Sequence, residues 1–284
     1  MVARLPVKPD IPLDKVLDLL LDAVCIVDAD GRYVHVSAAF ERIFGYAADE
    51  VIGKQMLQLV HPDDRARTIA AVAEIMSGQE KTQLENRYIR KDGEVVHIMW
   101  SARWVPELGV RIAVARDISA RRRAEATQAA VYAISEAAHA SDSLASLYRT
   151  IHKVLGGLLP AANCSVALYD AAADELNFPY HVDERGEAPA SRPLAASALA
   201  GEVVRSGRSL LLGPARLEGL EDEESRGARY WLGVPLKGRR GPIGALSVKS
   251  YAEGTSYSAR DVLLLHYVAT QVANAVERRH RKSP

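Results

Sequence analysis

Short runs of alternating or continuous apolar residues, punctuated by Asp-Gly and other glycine turns, are interleaved along this chain with stretches whose apolar positions recur every three or four residues. The first period is that of strands, the second that of amphipathic helices. A proline-broken lead-in over 1–12 precedes a short helix over 13–21. Ala23 to Asp28 reads as a strand, and Asp30-Gly31 turns it into a second from Tyr33 to Val36, a strong hairpin signal. Ser37 is placed to cap a helix through Phe40, Ile43 and Phe44 that stops at Gly45. His61-Pro62-Asp63-Asp64 opens another helix, with proline at its first position and acids at the positive end of its dipole. Ala66, Ile69, Val72 and Met76 form its expected apolar face. Strands over 83–91 and 94–103, joined at Asp92-Gly93, and over 109–117 complete this half.

The second half opens on a helix capped by Ser141 or Asp142, with an apolar face from Leu144 to Leu158. Strands follow over 165–170 and 175–182, then a helix over 195–205 and a short strand over 209–212. The acidic stretch 214–226 has little periodicity and is expected to flank a pocket as a mobile segment. Two strongly apolar strands, 230–237 and 242–251, lead to a long last helix whose start resembles a capping box, Ser258 with Asp261.

Between the halves, residues 117–138 turn from a strand ending at Asp117 into a charged, alanine-rich helix. Ala120, Ala124, Thr127, Val131, Ile134 and Ala138 alternate spacings of four and three, as in a coiled-coil seam. Val262, Leu265, Ala269, Val272 and Val276 repeat that spacing in the last helix. The first seam covers only about two and a half heptads and is marginal alone. The expectation is therefore a parallel homodimer whose helices carry a state from one half to the next.

Two α+β domains with a central antiparallel sheet flanked by helices are expected. The phrases FERIFGYAADEVIGK, HPDDR, YIRKDGEVVHIMWSARWV and GVRIAVARDIS make residues 13–119 resemble a PAS domain. Asp117-Ile118-Ser119 is similar to that family's Asp-Ile-Thr exit; Ser37 departs from it where many members carry asparagine. VALYD, ELNFPYHVDE, WLGVPLKGRRGPIGALSVKSY and YVATQVANAVERR make residues 140–281 resemble a GAF domain, with 120–139 as the linker. The tandem resembles the input half of bacterial sensor histidine kinases and of cyclic-di-GMP cyclases or phosphodiesterases. It implies a cytoplasmic regulatory protein that takes up a small molecule and controls such an output domain, placed beyond this chain or in trans. A scaffold that docks a signalling enzyme without sensing is the rival reading, and a GAF-type thiol reductase a remote third.

Composition fits two globular domains: 284 residues, 48% apolar and 25% charged. Lys+Arg and Asp+Glu balance at 36 each, which leaves no field for nucleic acid, and no apolar run approaches a membrane span. Cys25 and Cys164 lie one in each half within apolar runs and are expected as buried thiols. The eight histidines are scattered, with no metal-ligand spacing, phosphate loop or kinase histidine box, so no catalytic residue is assigned. Against the resemblances, neither the reactive cysteine of flavin-binding PAS domains nor that of bilin-binding GAF domains is present. Haem is disfavoured: in the second half His181 is the only histidine on a pocket-side strand that could ligate it, and it is more simply satisfied by neighbouring backbone. Phe40, Phe44, Met56, Met76 and Trp100 in the first half, and Phe178, Tyr180, His181, Tyr230 and Trp231 in the second, are the expected pocket walls. Arg103, Arg111, Arg192 and Tyr180 are the polar groups that could meet a ligand.

Overall fold

The computed structural model describes residues 12–79, 81–141, 143–220 and 226–280. The chain divides into two compact units, one ending at Ala124 and the other beginning at Glu125.

The first unit contains α1 (Leu13–Leu19), β1 (Ala23–Asp28), β2 (Tyr33–Val36), α2 (Ala38–Phe44), α3 (Ala48–Val51), α4 (Arg65–Met76), β3 (Lys81–Ile89), β4 (Val95–Val105) and β5 (Val110–Asp117). It also holds the first turns of α5 (Ser119–Ala140). Its five strands form an antiparallel sheet in the order β2-β1-β5-β4-β3. The buried positions of the central strand β5 are Arg111, Ala113 and Ala115. The two alanines leave room over the sheet for Phe40, Phe44, Tyr88 and Trp100, which share one core with them. Phe44 lies centrally, its ring 4.4 Å from Phe40, 5.3 Å from Tyr88 and stacked 6.4 Å from Trp100.

Two local expectations change. Ser37 does not cap α2: its hydroxyl accepts from the Val24 N–H at 3.0 Å, and Asp18 Oδ1 takes the Ala38 N–H at 3.0 Å instead. The buried face of α4 is Thr68, Ala71 and Ile75, with Val72 packed beside the core, while Ile69 and Met76 are 53% and 38% exposed. The helix is clocked this way because Asp64, just before it, is gripped by Arg87. Arg87 donates from Nε to Oδ2 at 3.0 Å and from Nη2 to Oδ1 at 2.9 Å, and its own backbone N–H reaches Oδ2 at 2.7 Å. Thr68 then donates to the Asp64 carbonyl and accepts from Asn86 Nδ2, so a buried hydroxyl behaves as a satisfied core group.

The second unit takes the rest of α5, then α6 (Leu144–Gly156), β6 (Asn163–Asp170), β7 (Glu175–Val182), β8 (Arg192–Pro193), α7 (Leu199–Ser206), β9 (Leu210–Leu212), α8 (Pro214–Leu217), β10 (Tyr230–Gly238), β11 (Gly241–Ser250) and α9 (Ala259–His280). The antiparallel sheet runs β8-β7-β6-β11-β10-β9. One core combines α5, α6 and α9 with strand residues such as Val234 and Leu246, and a second gathers α7 and α8 around Trp231. Ser143, not Ser141, caps α6 by accepting the Ser146 N–H; Asp142 lies outside the described residues. The expected capping box of α9 is present, the Ser258 N–H reaching Asp261 Oδ2 at 2.7 Å. Of the acidic stretch 214–226, α8 occupies the start, and residues 221–225 lie outside the described residues.

The expected dimer seam is overturned over most of its length. Leu265, Ala269, Val272 and Val276 are 0%, 1%, 0% and 1% exposed, inside their own unit's core, with Val262 packed against it. Ile134 joins the same core, and Val131 is half-buried, its carbonyl accepting from Tyr267 Oη. A three-four stripe fits a sheet face as well as a partner helix, and here an apolar sheet of the same chain lies under it. Only the earlier part of the stripe, Ala120, Ala124 and Thr127, is exposed.

Candidate functional site

In the first unit, a cavity of about 30 Å³ lies between α4 and the sheet. Strand alternation places its walls: Leu84, Asn86 and Tyr88 from β3, Trp100 and Ala102 from β4, Arg111 and Ala113 from β5. Met56, Val72 and Ile75 close the helical side. Of the residues expected to line a pocket, Met56 and Trp100 do so. Phe40 and Phe44 form the core behind them, and Met76 points outward because of the clocking of α4. Arg111 is the one expected polar group the fold delivers here, 3% exposed, whereas Arg103 on β4 is exposed. Tyr33, Thr68, Asn86 and Tyr88 also reach the cavity and were missed by the sequence reading; the alternation Leu84-x-Asn86-x-Tyr88 was the available signal.

Polar atoms in this cavity are poorly satisfied. Tyr33 Oη, Asn86 Oδ1 and Trp100 Nε1 are buried without a hydrogen-bond partner. Burial raises the pKa of Tyr33 and of Tyr88, so both phenols stay protonated at neutral pH. Burial likewise pushes the Cys25 thiol far up, and that of Cys164 to about 12, which leaves neither as an available thiolate.

The opposite face of β3 carries a different contact. Glu85, between the cavity residues Leu84 and Asn86, accepts from Arg121 Nη2 at 2.7 Å and from Arg122 Nη2 at 2.6 Å in the first turns of α5. Asp117 caps that helix by accepting the Ser119 N–H at 2.8 Å and pairs with Arg90 at 3.0 Å. Ser119 Oγ accepts the His97 N–H, and the Ile118 N–H donates back to His97. The start of α5 is thus keyed to β3, β4 and the end of β5.

The second unit does not assemble the expected aromatic wall. Residues 177 and 180 of β7 pair with 168 and 166 of β6, so a bulge at Phe178-Pro179 inserts one residue and reverses the facing. Phe178 therefore packs with Trp231, while Tyr180 and Tyr230 pack with the helices α6 and α9. Tyr180 Oη meets His152 Nδ1 at 2.7 Å, and Arg192 lies over the Phe178 ring at 5.4 Å. His181, expected to be satisfied by backbone, makes no hydrogen bond from either ring nitrogen. It stands 3.8 Å from Asp183 in a pocket of about 10 Å³ with Trp231, beside the buried Asp183–Lys249 ion pair that Tyr251 Oη also joins. Burial and the Lys249 charge hold the imidazole's pKa below its ordinary value. No group of three metal-ligating side chains occurs among the described residues, and no helix there is long and apolar enough to cross a membrane.

Comparison with known proteins agrees with this division. Residues 33–114 match the family model of the PAS fold and residues 141–277 that of the GAF domain. The chain is similar to the White collar 2 protein of Neurospora crassa, 37% identical over 79 residues, 28% of this chain and 15% of that protein. It is similar to the sensor histidine kinase TmoS of Ectopseudomonas mendocina, 24% identical over 197 residues, 66% of this chain and 20% of that one. A 74-residue stretch, 26% of this chain, is 28% identical to the probable diguanylate cyclase DgcE of Escherichia coli and covers 7% of it. The matched stretches thus span a fifth or less of these relatives. Among solved structures, the GAF domain of a phosphoenolpyruvate-protein phosphotransferase from Coxiella burnetii has 17% identity and a TM-score of 0.49, over 56% of this chain and 97% of that one.

Proposed function

We propose that this PAS–GAF chain is a cytoplasmic sensory module that converts the state of its N-terminal cavity into a movement of α5, read by an output domain. The observation that carries the reading is the double use of β3. Leu84 and Asn86 face the cavity, and Glu85 between them holds Arg121 and Arg122 of α5. A change in cavity occupancy that shifts β3 therefore acts directly on the helix, with no other element needed between them. Relatives named as a sensor histidine kinase and a diguanylate cyclase make such enzymes the natural outputs.

Residues 120–129 of α5 are all exposed. An exposed helical stretch this short is marginal in water, and pairing of the Ala120, Ala124 and Thr127 stripe with a second copy covers it. The dimer seam of this proposal is thus the early part of α5 alone.

The test inserts one to seven residues after Ala124 in a fusion of this chain to a histidine-kinase catalytic core. Each residue rotates a continuous helix by about 100°. Autophosphorylation that rises and falls with the helical period is the expected result. A profile flat in insertion length favours the docking scaffold, which needs no rigid connection.

A further inference from the structure

The unsatisfied groups of the N-terminal cavity define what it takes, and this assignment rests on the sensory reading above. Arg111 is buried at the middle of the unit. A guanidinium does not shed its proton inside a protein, and an uncompensated buried charge is among the costliest features a fold can carry. Its sole hydrogen bond among the described residues runs from Nη2 to Met56 Sδ at 2.7 Å, a weak acceptor. Asp28, whose negative field it feels, is engaged at the β1–β2 turn by the Arg32 N–H at 2.8 Å.

Three further buried polar atoms line the same cavity without a hydrogen bond of good geometry: Tyr33 Oη, Trp100 Nε1, which lies near enough to Tyr88 to lower that phenol's pKa, and Asn86 Oδ1. The first two can donate, so the set is one cation, two donors and one acceptor. The cation and the two donors are complementary to the oxygens of an anion, whereas Asn86 Oδ1, an acceptor, is not met by a carboxylate. The free volume of about 30 Å³ exceeds the 10–15 Å³ that one water requires. It is far below what a flavin or a haem occupies.

We propose that this cavity binds a short-chain monocarboxylate, its carboxylate on Arg111 and its apolar end against Val72, Ile75 and Leu84. The ligand neutralises the buried guanidinium, draws on β5 through Arg111 and presses its apolar end on β3 at Leu84. Those strands also carry Asp117 and Glu85, the two acids that hold the start of α5.

The test titrates the whole chain with acetate, propionate and lactate, with acetamide and propionamide as neutral isosteres and chloride as a plain anion. Thermal melting and tryptophan fluorescence are the readouts. Carboxylates are expected to raise the melting temperature of the N-terminal unit saturably and to shift the Trp100 emission, while the amides and chloride do neither. Arg111→Gln is expected to remove the carboxylate response. Should that variant not fold, line broadening of carboxyl-labelled acetate by the wild-type protein, relieved in Tyr33→Phe or Trp100→Phe, decides the matter. Equal responses to acid and amide, a response to chloride alone, a folded Arg111→Gln that still responds, or no broadening each overturns the assignment. The insertion profile of α5 needs no ligand. A periodic profile with a silent titration therefore removes only the carboxylate, whereas a flat profile removes the transmission reading itself.

Discussion

Replacing Gly233 by alanine is expected to destabilise the C-terminal unit by about 3 kcal/mol, because the indole of Trp231 lies where the new methyl would go. An ideal Cβ at Gly233 falls 2.1 Å from Trp231 Cη2 and 2.6 Å from Cζ3. Trp231 is 1% exposed within the core of α7 and α8, and the void of about 10 Å³ beside it is too small to take the displaced ring. The indole must leave its seat or the strand must shift. Chemical denaturation with tryptophan emission as the probe checks this. Truncating the ring in the double variant Trp231→Leu, Gly233→Ala is expected to cost clearly less than the sum of the single changes. Additive costs would mean that the clash is not between these two residues.

The second large effect concerns Asp64. Three hydrogen bonds from Arg87 hold its carboxyl down to about 2, from the usual carboxylate range. Its folded-state pKa is depressed, so the charged form is the one the fold favours. The stabilisation is fully present above the unfolded-state pKa near 4 and disappears as pH falls toward 2. Asp64→Asn keeps the shape but loses the charge, and is expected to cost about 2 kcal/mol at pH 7, the partly exposed Arg87 screening the remainder. Calorimetry of the N-terminal transition should show the wild type and the variant converging between pH 4 and pH 2. A difference that stays constant over that interval contradicts the role given to the ion pair.

The fold was legible in the sequence because turns and strand alternation are local. Asp30-Gly31 and Asp92-Gly93 sit at turns with Gly31 and Gly93 at φ +82° and +88°, and Gly45 ends α2 at +79°. Helix clocking was harder. Ile69 and Met76 form as good a stripe on α4 as Thr68, Ala71 and Ile75, and the decision is made by Asp64 and Arg87, 23 residues apart. The seam of α9 failed because periodicity says which face is apolar and not what covers it. The aromatic wall of the second unit failed twice over: a bulge reverses the facing beyond Pro179 of β7, and the consecutive residues Tyr230 and Trp231 of β10 face opposite sides by strand alternation. Arg111 was visible as a residue, but its isolation depends on where Asp28 and Met56 end up, and that is set by contacts spread across the whole unit.

Transmission from cavity to helix is the centre of this account, and amide hydrogen exchange in residues 119–130 measures it directly. Ala113→Val places two methyls in the cavity wall, and Glu85→Gln weakens the grip on Arg121 and Arg122. Ala113→Val is expected to alter protection along the start of α5, and the change is expected to disappear when Glu85→Gln is added. Identical exchange in all three proteins, with the cavity filled and α5 unmoved, would contradict it.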